Sequence, residues 1–413
     1  MLYHARSMRQ LHKIEICLAI CFILIVQYLG PVFAGDTIAF TVNINTIDLL
    51  GFNEKNGFLY QFLLYIFSDR LVLLLQSIVM ITAIKTLSSR VFNLIDNQFT
   101  QYFITIFLYA NPYFIDWSRT LLPDVLNLAI SIVFFVVYFR EKKSNHSSYV
   151  FLLSLAILVF SLRFVTGVFL LILIMMKIIY CFVTSKTDRK NTTKILVFSS
   201  ILLTLFLFVT ANYASQPRLV QMYREHRVAV FGKEDENFKD FYYENGMPAC
   251  KKLEKIWLDS ENLIEWGTFM QVGMKKECPD TYDYINQDKI SSWSYVKDSN
   301  SRIYFVKRLA RGMFPEIAPR TASGDLRIAY RISNVFLSLG LCFILIRRGR
   351  YLFHWMKFIA ALAVIGCHSL LAIYVDGKEP ARHLLPFSLI FWFLPILSLS
   401  RRRISNKDSD LSD

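Results

Sequence analysis

Four places in this 413-residue chain set charged groups at the edge of an apolar run. Asp36 stands in Pro31-Val-Phe-Ala-Gly-Asp36-Thr, and Asp124 in Leu121-Leu-Pro123-Asp124. Arg163 interrupts a long apolar stretch, and Arg382 and His383 follow Glu379-Pro380-Ala381. Carboxylates of this kind can take a proton from an attacking hydroxyl. Arginines bind phosphate through paired N–H donors, and a histidine can add a further donor. Each position also has a plain structural reading. Asp36 fits a solvated loop, and Asp124 fits the first turn of a helix opened by a proline. Arg163 fits a side chain that reaches toward headgroups, and Arg382 with His383 fits an interfacial anchor. Together, two carboxylates, two arginines and a histidine make a plausible site for a phosphate-bearing substrate. No Cys/His spacing suggests a metal centre.

The elements that must position these groups are long apolar blocks. Hydrophobic residues make up 54% of the chain, and they are grouped in runs close to the length of a bilayer crossing, about 17–25 residues. The runs lie near 14–34, 58–87, 99–115, 121–139, 149–163, 164–183, 194–212, 331–346, 357–375 and 383–399. The run at 58–87 reads as a short interfacial helix leading into a crossing. The expectation is an all-α polytopic membrane protein with about ten transmembrane helices. The chain divides into a transmembrane module at 1–212, a polar segment at 213–330, further membrane helices at 331–400 and a tail at 401–413. Arg6, Arg9 and Lys13 precede the first run as in a signal peptide. Its length, and the lack of a clear small-residue cleavage site, favour a retained helix.

Charge placement sets an expected topology. The net charge is +14, yet the segment 213–330 holds 18 Lys/Arg and 17 Asp/Glu and is nearly neutral. The excess sits in short loops: Arg140, Lys142 and Lys143; Lys186, Arg189, Lys190 and Lys194; Arg347, Arg348 and Arg350; Arg401, Arg402 and Arg403. This distribution follows the positive-inside rule and argues against a nucleic-acid partner. Alternate threading puts every such cluster, and both termini, in the cytoplasm. The chain is therefore expected in the cell inner (plasma) membrane, with membrane lipid around it. Residues 35–57, 116–120, 376–382 and the whole of 213–330 then face outward, as do all four charged sites.

Cys17, Cys21, Cys181, Cys342 and Cys367 lie in apolar runs and read as small buried hydrophobes. Cys250 and Cys278 are the two cysteines of the polar segment. An oxidising location would join them in a disulfide. Tyr242, Tyr243, Trp257, Trp266, Trp293 and Tyr295 are spread among the charges of that segment, the composition of a folded domain.

With these residues in place the chain resembles the C-type glycosyltransferases, the GT-C superfamily. The likeness is to bacterial members akin to the protein-mannosyltransferase and lipid A aminoarabinose-transferase families. It runs from about residue 14 to 175 and returns in the last two helices. Its carriers are Gly35-Asp36, Asn56-Gly-Phe-Leu-Tyr60-Gln-Phe-Leu-Leu-Tyr65, Gln76 in Leu-Leu-Leu-Gln-Ser, Tyr109-Ala-Asn-Pro112-Tyr, and Leu-Pro123-Asp124. Leu162-Arg163-Phe-Val-Thr-Gly167 and Arg382-His-Leu-Leu-Pro386 complete the set. The resemblance implies a polyprenyl-phosphate sugar as donor, with a glycan, lipid or protein as acceptor. Asp36 would be the general base, and Asp124 would orient the acceptor or support a cation. Arg163, Arg382 and His383 would hold the donor phosphate. No organic cofactor is implied, and a divalent metal is left open. Many relatives carry paired acids in the first loop, whereas Thr37 follows Asp36 here. Segment 213–330 matches no part of the family pattern and would select the acceptor.

Two other readings share some of these features. An O-antigen polymerase or ligase also combines many crossings, a large outer loop and lipid-linked sugars, but lacks the early Gly-Asp. A membrane transporter would place charges near the bilayer midplane, often with internal repeats, and no repeat is visible here.

Overall fold

The structure is a computed structural model. It describes residues 2–32, 58–95, 97–140, 146–184, 236–258, 274–286, 351–375 and 385–401, with isolated positions between 306 and 340. The described chain is mostly helical. It divides into two compact units, one of residues 1–184, 315–365 and 386–413, the other of 185–314 and 366–385.

The first unit opens with α1 (Leu2–Leu29), α2 (Phe58–Ile66) and α3 (Asp69–Phe92). It continues with α4 (Gln98–Tyr109), α5 (Pro112–Arg119) and α6 (Pro123–Arg140). α7 (His146–Leu162) and α8 (Phe164–Thr184) follow. Among the described residues three helical runs are long and apolar enough to cross a membrane: Gln10–Leu29, Asp69–Phe92 and Pro123–Arg140. Ser147–Leu162, Val165–Tyr180, Trp355–Leu370 and Pro386–Leu397 are shorter apolar runs.

The local causes of these elements can be read residue by residue. α1 ends at Gly30, which takes φ +72° and returns its N–H to the Val26 carbonyl, the usual left-handed exit of a helix. The apolar run expected as one crossing at 99–115 is instead broken. Pro112 has no N–H to continue α4, and the Asn111 side chain accepts from the Tyr113 N–H and starts a new helix there. α4 alone, at 12 residues, rises only about 18 Å. α6 begins with Pro123 in its first turn and Asp124 beside it, where a fixed φ and a negative charge both favour helix initiation.

α7 and α8 are separated by Arg163 alone, and the chain reverses there. A Cβ added to Gly167 would stand 2.4 Å from the Phe160 Cα, so the two helices approach backbone to backbone at a position only glycine permits. α6 is buried along nearly its whole length, from Pro123 to Phe139. α1 instead exposes Ile16, Ile20, Leu24 and Tyr28. Cys17, Cys21 and Cys367 are also exposed, contrary to their reading as buried side chains. In a bundle bathed in lipid the outer face is as apolar as the core, so composition does not separate the two. Cys181 and Cys342 lie outside the residues whose side chains are described.

At the end of the first unit marked by Arg140, β1 (Tyr351–Phe353) pairs antiparallel with β2 (Leu399–Arg401). β1 leads into α13 (Trp355–Val375), and α14 (Leu385–Leu397) ends at β2. Phe387 of α14 meets Phe135 of α6 edge to face, with ring centroids 5.8 Å apart.

The second unit holds residues 366–375 of α13 and the helices α9 (Glu236–Glu244), α10 (Lys251–Leu258), α11 (Met274–Glu277) and α12 (Pro279–Asn286). A disulfide joins Cys250 to Cys278, with Cα atoms 5.7 Å apart and both residues buried. Around it, Tyr284 Oη donates to the Asn245 carbonyl and Thr281 Oγ1 to the Pro248 carbonyl. Tyr243 Oη donates to Glu254 Oε1 at 2.9 Å. Burial and the neighbouring Glu254 carboxylate hold the Tyr243 phenol well above its ordinary pKa.

Candidate functional site

Two of the charged residues singled out in the sequence form a contact. Arg163 Nη2 donates to Asp124 Oδ2 at 2.7 Å. The Asp124 side chain is 2% exposed and that of Arg163 13%, so the pair is nearly out of solvent. Its geometry follows from the helices. Asp124 sits in the first turn of α6, and Arg163 occupies the reversal between α7 and α8. A charge at membrane depth must find a partner or a polar cavity, and here each supplies the other.

The pair heads a buried polar stripe. Asp124, Asn127 and Ser131 recur at helical spacing on α6 and are all buried. Asn127 Nδ2 donates to Thr166 Oγ1 at 3.2 Å, and Ser131 Oγ donates to Asn127 Oδ1 at 3.4 Å. One residue pair of the stripe is thus ionic and the next is neutral, both linking α6 to the start of α8. Further along α6, Phe134 and Phe135 are fully buried. Asn127, Ser131 and Thr166 escape a search for charges; their signal is the i, i+3, i+7 recurrence of polar groups within an apolar run.

Three elements are tied together immediately before Asp124. Gln76 of α3, fully buried, donates through Nε2 to the carbonyls of Thr120 and Leu122, each at 3.2 Å. The same amide lies 3.4 Å from the Tyr60 hydroxyl of α2. Arg119 donates through Nε to the Gly30 carbonyl and through Nη2 to the Leu29 carbonyl, both at 3.1 Å, closing off the end of α1. Val32 then bridges Thr120 in parallel: its N–H donates to the Arg119 carbonyl at 2.8 Å, and its carbonyl accepts from the Leu121 N–H at 3.2 Å. Asp116 adds a looser ionic contact to Arg119 at 3.9 Å.

Asp36, Arg382 and His383 lie outside the described residues. Among the described residues no group of three or more His, Cys, Asp or Glu side chains could hold a metal ion. What the arrangement does chemically is present a guanidinium, oriented by a carboxylate, at the end of a helical bundle, with hydroxyl and amide groups beneath it. No family model, curated protein or solved structure matches the chain.

Proposed function

We propose that the protein is an inverting glycosyltransferase of the membrane, moving a sugar from a polyprenyl-phosphate donor to a glycan, lipid or protein acceptor. The observation that supports this best is the buried Asp124–Arg163 pair at one end of the helical unit. The same end receives the exit of α1. Asp36 follows the bridged Val32 by four residues, and four residues of chain extend at most about 14 Å.

In this reading Asp36 takes the proton of the acceptor hydroxyl as its oxygen attacks the anomeric carbon. The bond from that carbon to the phosphate oxygen breaks, the bonding electrons leave with polyprenyl phosphate, and the configuration inverts. Arg163 stabilises the departing phosphate, and Asp124 fixes the direction of the Arg163 fork. Arg382 and His383 are further phosphate ligands on the strength of the family resemblance. The topology proposed with it has about ten crossings, both termini in the cytoplasm of an inner-membrane protein, and residues 213–330 outside. The polar stripe weighs against a transporter. Its charged members, Asp124 and Arg163, lie at the start of α6 and not at its middle, whereas a transporter is expected to hold its substrate near the bilayer midplane.

The test is a pair of variants in nanodiscs, followed by sugar transfer and donor binding. Asp36→Asn removes the proton acceptor and should lower transfer by about 10²–10⁴-fold, with donor affinity intact. Arg382→Ala should weaken donor binding and rate together. Full transfer by Asp36→Asn would remove it as the base and make Asp124 the candidate.

A further inference from the structure

We infer that Arg119 and Gln76 are positioning residues for the Asp124–Arg163 pair, bracing the segment 119–122 from two sides. The inference rests on the glycosyltransferase reading for its effect on rate, but not for its geometry. Residues 119–122 lead directly into Pro123 and Asp124. Of these, 120–122 form the non-helical link between α5 and α6, so their backbone carbonyls need partners from elsewhere. Gln76 supplies them from α3: one side-chain amide bonds the carbonyls of both Thr120 and Leu122. Arg119 works in the other direction. Its guanidinium bonds the last carbonyls of α1, Leu29 and Gly30, while its own backbone carbonyl accepts from Val32.

The two side chains join three helices that are far apart in sequence at the point where Asp124 emerges. Neither is paired to the Asp124 or Arg163 side chain in this arrangement, so their effect passes through the backbone. Gln76 is fully buried on the same face of α3 as Val72, Leu73 and Met80, where a leucine would avoid the cost of burying an amide. A polar group retained there is accounted for by the turn that it holds. The same logic applies to Arg119. Its fork geometry matches two adjacent carbonyls, which a lysine, with a single ammonium, cannot reproduce.

The experiment uses the full chain in nanodiscs with two readouts. The first is geometric. Val32 and Thr120 are bridge partners, and adjacent strands lie about 4.8 Å apart, within the Cα range of a disulfide. A V32C/T120C pair should therefore cross-link rapidly under mild oxidation, detected by mass spectrometry of the linked peptides. Adding Arg119→Ala should slow the cross-link several-fold, with Arg119→Lys in between. An unchanged rate in Arg119→Ala overturns the bracing role. The second readout is kinetic. A misplacement near 1 Å costs about 10²-fold, so Arg119→Ala and Gln76→Leu should lower kcat by roughly that factor. The donor KM should stay within two-fold, and kcat per folded molecule should fall beyond the modest loss of thermal midpoint that the unpaired carbonyls bring. A loss explained by unfolding alone, or a rise in KM with kcat intact, overturns the positioning role. Failure of the functional reading looks different: the unsubstituted protein then transfers no sugar, while the cross-link comparison still separates Arg119 from Arg119→Ala.

Discussion

Arg119 and Arg90 cap helix ends at opposite ends of the first helical unit in the same way, and Arg163 does not. At the end where α6 begins, Arg163 meets a carboxylate, Asp124, at 2.7 Å. At the end where α6 finishes, three cations among the described residues lie against neutral groups. Arg90 donates to the Leu397 carbonyl at 2.8 Å and also to that of Leu399, closing the C-terminus of α14. Lys177 lies over the rings of Tyr138 and Tyr149, 5.2 Å from each centroid. Lys357 reaches the Tyr138 carbonyl. A carbonyl cap or an aromatic face steadies a cation with no second charge to desolvate. An ion pair in the same surroundings must desolvate both partners, and hydrophobic residues of similar volume are often no less stable there. The contacts described at the α14 end are thus architectural in kind. The Asp124 end carries an ion pair, and in the proposed reading this is the end that meets the donor phosphate.

The largest expected effect tests that contrast directly. Arg163→Ala leaves a carboxylate buried without its cation, and breaking one side of such a pair costs about 3–5 kcal/mol. The double variant Asp124→Leu/Arg163→Met should recover most of that loss, because it removes both desolvation costs. Unfolding in mixed micelles measures the stabilities. If the pair serves function, the double variant should be folded and still fail to transfer sugar. A double variant that is as unstable as Arg163→Ala would make the pair structural, and the two ends would no longer differ in kind.

A smaller effect is expected at the reversal between α7 and α8. In Gly167→Ala the new methyl meets the Phe160 backbone at 2.4 Å, so the helices must separate. Overpacking of this sort costs about 1–3 kcal/mol. Because Arg163 lies on the reversal itself, separation also draws its guanidinium from Asp124. Transfer should fall more than the loss of folded protein explains, as read from activity per folded molecule. Wild-type specific activity in Gly167→Ala would show that the pair tolerates movement of the hairpin.

The contrast between the ends was only partly legible in the sequence. The helical character, three of the membrane-length runs and the helix start at Pro123-Asp124 follow from periodicity-free apolar blocks and a proline beside an acid. Alternation of the blocks assigns Asp124 and Arg163 to one end, but nothing in a separation of 39 residues says that they touch. The break at Asn111-Pro112 was missed because the apolar run continues across it, although a proline after an asparagine is a strong local stop. Gln76 and Arg119 act through backbone carbonyls more than 40 residues away, and a carbonyl leaves no mark in sequence. Outward-facing Cys17, Cys21 and Cys367 were unreadable for the reason that lipid and core select the same side chains.

The smallest expected effect concerns Lys177 and sharpens the comparison from the structural end. Its ammonium sits between two tyrosine rings within an apolar helix, and it is buried. A cation over aromatic faces gains about 0.5–2 kcal/mol, while removing it from water costs a comparable amount or more. Lys177→Met keeps the length of the stem, fills the same channel between the rings and abolishes the charge. The two changes oppose each other, so stability should move by no more than about 1 kcal/mol in either direction. Transfer should be unaffected, since the residue lies near the opposite end of α8 from Arg163. The informative comparison is with the Asp124 end under the same assay. Neutralising a cation that is matched to rings should leave both stability and transfer near their starting values, whereas neutralising the cation matched to a carboxylate should damage both. A large loss of transfer in Lys177→Met, at unchanged stability, would place chemistry at the end now explained by packing and would reverse the assignment of the two ends.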